Sequence, residues 1–210
     1  MTDIRKREIE SLTVELLKEY GLFRVNGAAP IFVKDELQKR FTFTFHELDM
    51  EDNLQGAIFQ GKKSVKIVVN STIDNVGRKN FTNAHEMGHY FLMHVLTTLS
   101  CTKANIEGGF FIKDKQEVEA NYFASYFLMP KEYVYWNYYN VLKTYLQIYP
   151  YQKLYVDNYN YHKTWRPVCS YFLKQCGVSN SALKYRLEEL NLLNWNYKEK
   201  QTQSNTLFGF

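Results

Sequence analysis

The hydrophobic pattern of residues 1–40 predicts two helices. Between residues 3 and 20 the apolar side chains recur at helical spacing and form a stripe that ends before Gly21; its members are Ile9, Leu12, Leu16 and Leu17. Pro30 suits the first turn of a second, shorter helix with apolar positions at Ile31, Phe32, Val33 and Leu37. The chain is therefore expected to begin with helical structure.

After Arg40 the pattern changes from a helical to an alternating period. Phenylalanines alternate with polar residues over 41–46, which is typical of a strand with one buried face. Two further strands are predicted at 56–60 and 65–69, joined by a hairpin turn at 61–63. The strand at 65–69 is either simple scaffold or a sheet edge to which an extended peptide could add as a further strand.

Helical periodicity returns in the rest of the chain. One helix is predicted to begin near Arg78, and another begins at Glu117, shortly after the Gly108-Gly109 loop. The stretch 132–161 contains ten tyrosines and is expected to form a packed aromatic helix pair with a turn around Pro150. Its alternative role is a recognition surface, because exposed tyrosine and tryptophan are common at protein interfaces.

The block Val168–Leu193 is similar to a helix-turn-helix. A turn at Gly177-Val178-Ser179 separates two helices, Ser179 is a suitable N-cap, and the second helix carries Leu183, Leu187 and Leu190. Its basic residues, Lys184 and Arg186, are offset by Glu188 and Glu189, which weakens any attraction to phosphate. A structural or protein-binding role is therefore favoured, and direct nucleic-acid binding is the alternative.

Together these elements predict the α+β class, with a small three-stranded sheet followed by a helical C-terminal part. We expect a domain at residues 1–130 that contains the sheet and the candidate site. A helical subdomain would occupy residues 131–195, and a flexible polar tail residues 196–210.

Composition narrows the class of protein and its compartment. The 210 residues are 45% hydrophobic, which is enough to bury a core. The net charge of +4 is small, and the lysines and arginines are scattered with acidic residues between them. Three cysteines, Cys101, Cys169 and Cys176, form no C-x-x-C pair, which fits a reducing interior. The first ten residues lack the apolar segment of a signal peptide, and no apolar run is long enough to span a bilayer. We therefore expect a cytoplasmic protein.

The clearest chemical signal is the stretch 81–90, FTNAHEMGHY, which contains H-E-x-x-H. Because a helix advances about 100° per residue, His85 and His89 leave the same face one turn apart, the spacing that a single zinc ion needs. Glu86 lies about 100° away and suits a general base acting on a water at the metal. The alternative is an ordinary amphipathic helix, but Gly88, which is costly inside a helix, indicates that another backbone comes close there.

A catalytic zinc takes three protein ligands, so a third must come from elsewhere. His94 is nine residues after His85, about 180° round a continuous helix, and is not expected to take part in the site. Glu117 and Glu119 begin the next strong helix and point about 200° apart, so only one can face the motif. Glu117 is favoured because small residues share its face and Asn121, one turn later, could hold a ligand histidine; Glu119 is the alternative.

Three blocks, FTNAHEMGHY, EVEANYFASYFLMP and GVSNSALKYRLEEL, occur in the same order as in the ImmA/IrrE family of metallopeptidases of bacteria and their mobile elements. The chain resembles this family over most of residues 30–193. The resemblance implies a zincin-like fold, a zinc ion held by His85, His89 and Glu117, and Glu86 as catalytic base. It also implies site-specific cleavage of a cognate helix-turn-helix repressor, which relieves repression under stress or during mobile-element transfer.

The expected reaction is therefore hydrolysis of a peptide bond by zinc-activated water, with Glu86 moving the proton. A donor to the oxyanion is expected, for which His162 and the late tyrosines are weak candidates. Two other functions stay open: a non-hydrolytic regulator that binds a repressor or antitoxin through a peptidase-like cleft, and a DNA-binding module that acts through residues 168–193.

Overall fold

The computed structural model describes residues 1–24, 38, 43–51, 54–60, 64–94, 100–102, 115–148 and 152–198. The predicted helix after Pro30, the hairpin turn at 61–63, the turn at Pro150 and residues 199–210 of the predicted tail lie outside the described residues.

Helix α1 comprises Asp3–Glu19, as the apolar stripe predicts. The Thr2 side chain caps its first turn by accepting the N–H of Arg5, and Asp3 is well placed near the positive end of the helix dipole. The helix is followed by Gly21, which has a positive φ of 64°. Its buried face, which includes Ile9 and Leu17, joins the main hydrophobic core.

Four strands form the main sheet in the order β1-β3-β2-β4: β1 Phe43–Leu48, β2 Leu54–Gln60, β3 Val65–Asn70 and β4 Ser100–Thr102. The first three confirm the predicted strands, and short β4 is an addition. In β1 the Phe43 and Phe45 side chains are buried while Thr44 and His46 are exposed, as the alternation predicts. Strand β1 is parallel to β3, whereas β2 is antiparallel to both of its neighbours.

The prediction that strand 65–69 is a sheet edge is wrong. Ile67 of β3 lies between Phe45 of β1 and Ile58 of β2, so both sides of β3 are already paired. Four consecutive residues at its end, from Ile67 to Asn70, are buried, as in a strand covered on both faces. The alternation along a strand indicates which side chains face the core, but it does not indicate which strands are its neighbours. Here β3 pairs with β1 on one side and with β2 on the other.

Two helices pack together next to this sheet. Helix α2, Val76–Phe91, begins two residues earlier than predicted, because Asn75 caps it by accepting the N–H of Arg78. Helix α3, Lys115–Leu128, packs along α2, and α1 covers another side of α3. Since α2 also contacts β2 and β3, it lies between the sheet and α3.

The tyrosine-rich stretch differs from the predicted helix pair. Helix α4, Lys131–Tyr145, is followed not by a second helix but by strand β5, Leu154–Val156, which pairs in parallel with β6, Leu193–Trp195. The buried Tyr138 hydroxyl accepts from the Leu154 N–H and donates to the Leu192 carbonyl. A tyrosine thus holds both strands to α4, a long-range contact that periodicity does not show.

The helix-turn-helix-like block has the predicted form, with α5 at Tyr161–Cys176 and α6 at Asn180–Glu189. Gly177 ends α5 with a φ of 59°, and Ser179 caps α6 by accepting the N–H of Ala182. Cys169 and Cys176 are buried free thiols. The division of the chain at residue 130 stays a prediction.

The turn of this block packs against the start of α2. A Cβ atom added to Gly77 would lie 2.2 Å from the carbonyl carbon of Val178, so only glycine allows the approach. The Asn80 amide also donates to the Gly177 carbonyl oxygen over 2.8 Å. The C-terminal block therefore supports the helix that carries the H-E-x-x-H motif. No helix in the described part of the chain is long and apolar enough to cross a membrane.

Candidate metal centre

Helix α2 places two buried imidazoles side by side. His85 and His89 are one turn apart, and their Nε2 atoms are separated by 3.0 Å. Both Nε2 atoms face the same point on the α3 side of the helix, where Glu117 lies. The four-residue spacing in the sequence thus places two potential metal-binding nitrogens on the same side of the helix, both facing Glu117.

Glu117 of α3 completes a group of three possible metal ligands. Its Oε2 is 3.3 Å from His85 Nε2, and its Oε1 is 3.3 Å from His89 Nε2. Ligands about 2.0–2.1 Å from a tetrahedral zinc ion are about 3.3 Å from one another, and each histidine nitrogen lies 3.3 Å from one of the two Glu117 oxygens. Of the two acids that the sequence left open, Glu117 is the one brought to the histidines.

Asn121 fixes the orientation of His85. Its side-chain Oδ1 lies 2.9 Å from His85 Nδ1, at the predicted position one turn after Glu117. Because an amide oxygen only accepts, His85 Nδ1 carries the hydrogen and its Nε2 is left with a lone pair directed at Glu117. This is the protonation state in which an imidazole binds a metal through Nε2.

His94 lies next to the candidate ligand His89, a position that the geometry of a continuous helix does not predict. Helix α2 ends at Phe91, and Met93 adopts a left-handed φ of 54°, so the chain turns back on the last helical turn. His94 Nδ1 then lies 2.9 Å from His89 Nδ1, on the side away from Glu117. The argument that His94 points 180° away holds only for a continuous helix. His94 contacts a candidate ligand without joining the ligand group.

Glu86 is completely buried and lies beside β2. An added Cβ on Gly56 would be 3.1 Å from Glu86 Oε1. Within the described part of the chain neither carboxylate oxygen of Glu86 has a hydrogen-bond partner. A buried carboxylate without a donor is costly, and such an arrangement is typical of a functional group rather than of a structural one.

The family model for peptidase M78, described as the IrrE N-terminal-like domain, matches residues 39–188. The chain belongs to this family. Among curated proteins, no significant match is found. The resemblance to ImmA/IrrE proteins is thereby confirmed, as is the α+β class. Membership supports a metallopeptidase-like function and implies a protein substrate, and the triad of His85, His89 and Glu117 is compatible with a metal site.

Electrostatics in this IrrE-like centre follow from burial and from the close histidines. Burial raises the pKa of Glu86 to about 8, with His85 acting in the opposite sense. Burial alone would also raise the pKa of Glu117, but the imidazoles of His85 and His89 beside its two carboxylate oxygens outweigh it and hold that pKa far below its usual range. Burial lowers the pKa of His89, which favours the neutral imidazole that binds metals.

Sequence reasoning missed three residues around the centre of this IrrE-like chain. Gly56 of β2 lies against Thr82 and Glu86, and His94 contacts His89. Arg5 of α1 donates to Glu119, the acid that was the alternative ligand. A search that allowed the chain to leave the helix could have found His94, whereas Arg5 is 114 residues from its partner and has no sequence signal.

The predicted oxyanion donor is not identified by these contacts. His162 is exposed at the start of α5, where its ring lies edge-on to Tyr161. The suggestion that His162 or a late tyrosine stabilises an oxyanion stays a prediction.

Proposed function

We propose that this chain is a zinc endopeptidase of the cytoplasm that cleaves one specific protein, a cognate helix-turn-helix repressor. One observation carries the enzymatic part of the proposal. Two histidines and a glutamate converge in a buried site, and the acidic residue next to His85 is buried without a hydrogen-bond donor in the described part of the chain. A structural ion site has no use for that unsatisfied carboxylate.

His85, His89 and Glu117 would hold the metal. Two imidazoles with one carboxylate are a known donor set of catalytic zinc, and three ligands leave one position for water or substrate. When bound, zinc supplies Lewis-acid polarisation of the scissile carbonyl and makes water more acidic. Two imidazole nitrogens in the donor set support zinc rather than a hard ion such as calcium, which takes six to eight oxygen ligands.

Glu86 would act as the general base. It follows His85 directly on α2, and its burial beside Gly56 keeps the carboxylate within the same enclosed part of the molecule. In the reaction, Glu86 accepts a proton from the attacking water and then delivers it to the amine that leaves. A raised pKa suits this task, because the group must take up the proton and release it again within one cycle.

The choice of a repressor as substrate rests on the family resemblance. The C-terminal part offers exposed aromatic side chains for partner recognition, at Trp136, Tyr145, Tyr155 and Tyr159. Such residues are enriched at protein interfaces. We therefore assign partner recognition to this surface and favour a protein over DNA as the partner. Arg186, one of the two basic residues of α6 considered for phosphate contact, is buried and donates to the Met129 carbonyl.

The test is incubation of the zinc-loaded protein with the helix-turn-helix protein encoded beside its gene. We expect the partner to be cut once, with the position read by mass spectrometry. Glu86→Gln should retain zinc but abolish the cut, whereas His85→Ala should lose zinc and activity together. Relief of repression in cells by Glu86→Gln at the wild-type level would instead select the non-hydrolytic regulator.

A further inference from the structure

Behind His89, on the side away from Glu117, polar side chains form a chain that ends at α1. His89 Nδ1 is 2.9 Å from His94 Nδ1, and His94 Nε2 is 3.3 Å from Glu119 Oε2. The same carboxylate oxygen accepts from Arg5 through Nε at 3.0 Å and Nη2 at 2.7 Å. We call His94, Glu119 and Arg5 the rear chain.

The hydrogens of this chain have one consistent arrangement when His89 is a ligand. To bind through Nε2, neutral His89 must carry its hydrogen on Nδ1 and donate it to His94. His94 Nδ1 then accepts, so its own hydrogen is on Nε2, facing Glu119. An ionised carboxylate only accepts, and therefore every link of the chain has one donor and one acceptor.

Arg5 makes this arrangement stable. The Glu119 side chain is 4% exposed, and a buried carboxylate without a cationic partner is costly. Two N–H groups of the planar guanidinium of Arg5 reach the same oxygen, which fixes the carboxylate beside His94. The first helix of the protein, far from the motif in sequence, thus reaches the metal centre through two intervening side chains.

We propose that His94 is a positioning residue that holds His89 in its zinc-binding tautomer and ring orientation, and that Glu119 and Arg5 hold His94. The inference rests on the proposed role of His89 as a zinc ligand. Asn121 performs the corresponding task for His85, so each imidazole would have its own support on the ring nitrogen opposite the metal. The two supports differ, since the one behind His89 extends to a charged pair.

Zinc affinity of the purified protein is the first measurement. Replacing such an outer partner commonly weakens metal binding about 10- to 100-fold, and we expect a loss of this size for His94→Ala. Glu119→Gln should weaken binding in the same direction, because the neutral amide no longer fixes the His94 proton. Arg5→Ala should weaken binding less, and Arg5→Lys should fall between Arg5→Ala and wild type.

Matched controls separate positioning from general damage. Glu8 is the other carboxylate partner of Arg5, at 3.0 Å, but it is exposed on α1. Glu8→Gln therefore removes one ion pair of Arg5 while leaving the Nε and Nη2 contacts of Arg5 with Glu119 in place, and it should leave zinc affinity unchanged. His162→Ala removes an exposed histidine as the control for His94→Ala. Equal zinc affinities for His94→Ala and wild type would overturn the proposal.

Nuclear magnetic resonance of ¹⁵N-histidine-labelled, zinc-loaded protein reads the tautomers directly. We expect His89 to carry its hydrogen on Nδ1 and His94 on Nε2. In zinc-loaded His94→Ala, which has no side-chain acceptor, the His89 Nδ1 hydrogen should lose the shift of a strong hydrogen bond. A hydrogen on His94 Nδ1 in the wild type would overturn the proposal, because His89 could not then donate to it.

These measurements do not depend on peptidase activity. If zinc affinity and tautomers respond as expected while the repressor is never cut, the positioning inference stands and the proposed substrate or reaction fails. If cleavage occurs and depends on Glu86, but His94→Ala binds zinc as the wild type does, the proposed function stands and the positioning inference fails.

Discussion

A Cβ atom built on Gly88 of α2 would lie 3.2 Å from the Cα of Ala120 on α3. The same atom would be 3.1 Å from Cδ1 of Phe123, so the helices meet where the histidines of α2 face Glu117 of α3. The distance between the two helices at this point sets the separation between His89 and Glu117. The absence of a side chain at Gly88 therefore allows the helix approach on which the geometry of the candidate metal centre depends.

Gly88→Ala is expected to lower the free energy of unfolding by up to about 2 kcal/mol. Alanine favours a helix by about 1 kcal/mol over glycine, but forcing a methyl group into a close-packed contact costs about 1–3 kcal/mol. The separation of α2 from α3 should also reduce zinc affinity. Chemical denaturation and zinc competition measure the two effects, with Val76→Ala, at an exposed position of α2, as the control for helix propensity. A more stable variant with unchanged zinc affinity would show that the helices are not held apart.

Gly56→Ala is expected to reduce cleavage more than it reduces zinc binding. Its Cβ would lie 2.5 Å from Cγ2 of Thr82 and 3.1 Å from Oε1 of Glu86, so the carboxylate of this proposed base must shift. Misplacing a catalytic group by about 1 Å can cost about 100-fold in rate. Adding Thr82→Ser removes the methyl group in closest contact and should restore part of the rate. Full activity of the single variant would mean that Glu86 tolerates displacement.

Glu86 is expected to make the stability of the chelator-treated, metal-free protein decline as the pH rises from about 4.5 to about 8, against an opposite trend from His89 and His94, whose pKa values are lowered by burial. Burial raises the pKa of Glu86 to about 8 in the folded protein, against an ordinary value of 4.5. A raised folded-state pKa gives a contribution that is complete below the unfolded pKa and is lost as the pH rises through the folded one. The decline should be smaller in Glu86→Gln. Denaturation curves of both proteins across this range make the comparison, and equal slopes would contradict it.

Arg186 is expected to matter for stability and not for DNA. It is 1% exposed, donates to the Met129 carbonyl over 3.1 Å and pairs with Glu189 at 2.9 Å. Arg186→Ala leaves the buried Met129 carbonyl without its donor and should cost about 1–3 kcal/mol. Lys184→Ala, at a more accessible position of α6, should cost under about 1 kcal/mol. Neither variant should change retention on duplex DNA at low salt; a salt-dependent affinity lost in Lys184→Ala would restore the nucleic-acid hypothesis.

Local chemistry let the sequence determine much of this molecule. The spacing of His85 and His89 places both on one helix face because every α-helix has the same geometry. Alternating phenylalanines identify the buried face of β1, and Gly177 with Ser179 marks a helix end and a helix start. The choice of Glu117 over Glu119 also came from faces of a single helix, and the geometry of the triad agrees with it.

Only the tertiary structure decided which elements meet. Strand β3 lies inside the sheet because it pairs with both β1 and β2, and the periodicity of a strand does not encode its partners. His94 reaches His89 because the chain reverses at Met93, and Glu119 is held by Arg5 from the opposite end of the sequence. Such contacts come from packing between distant segments, and that is why the sequence predicted the three candidate ligands and Asn121 but not His94, Glu119 and Arg5 behind His89.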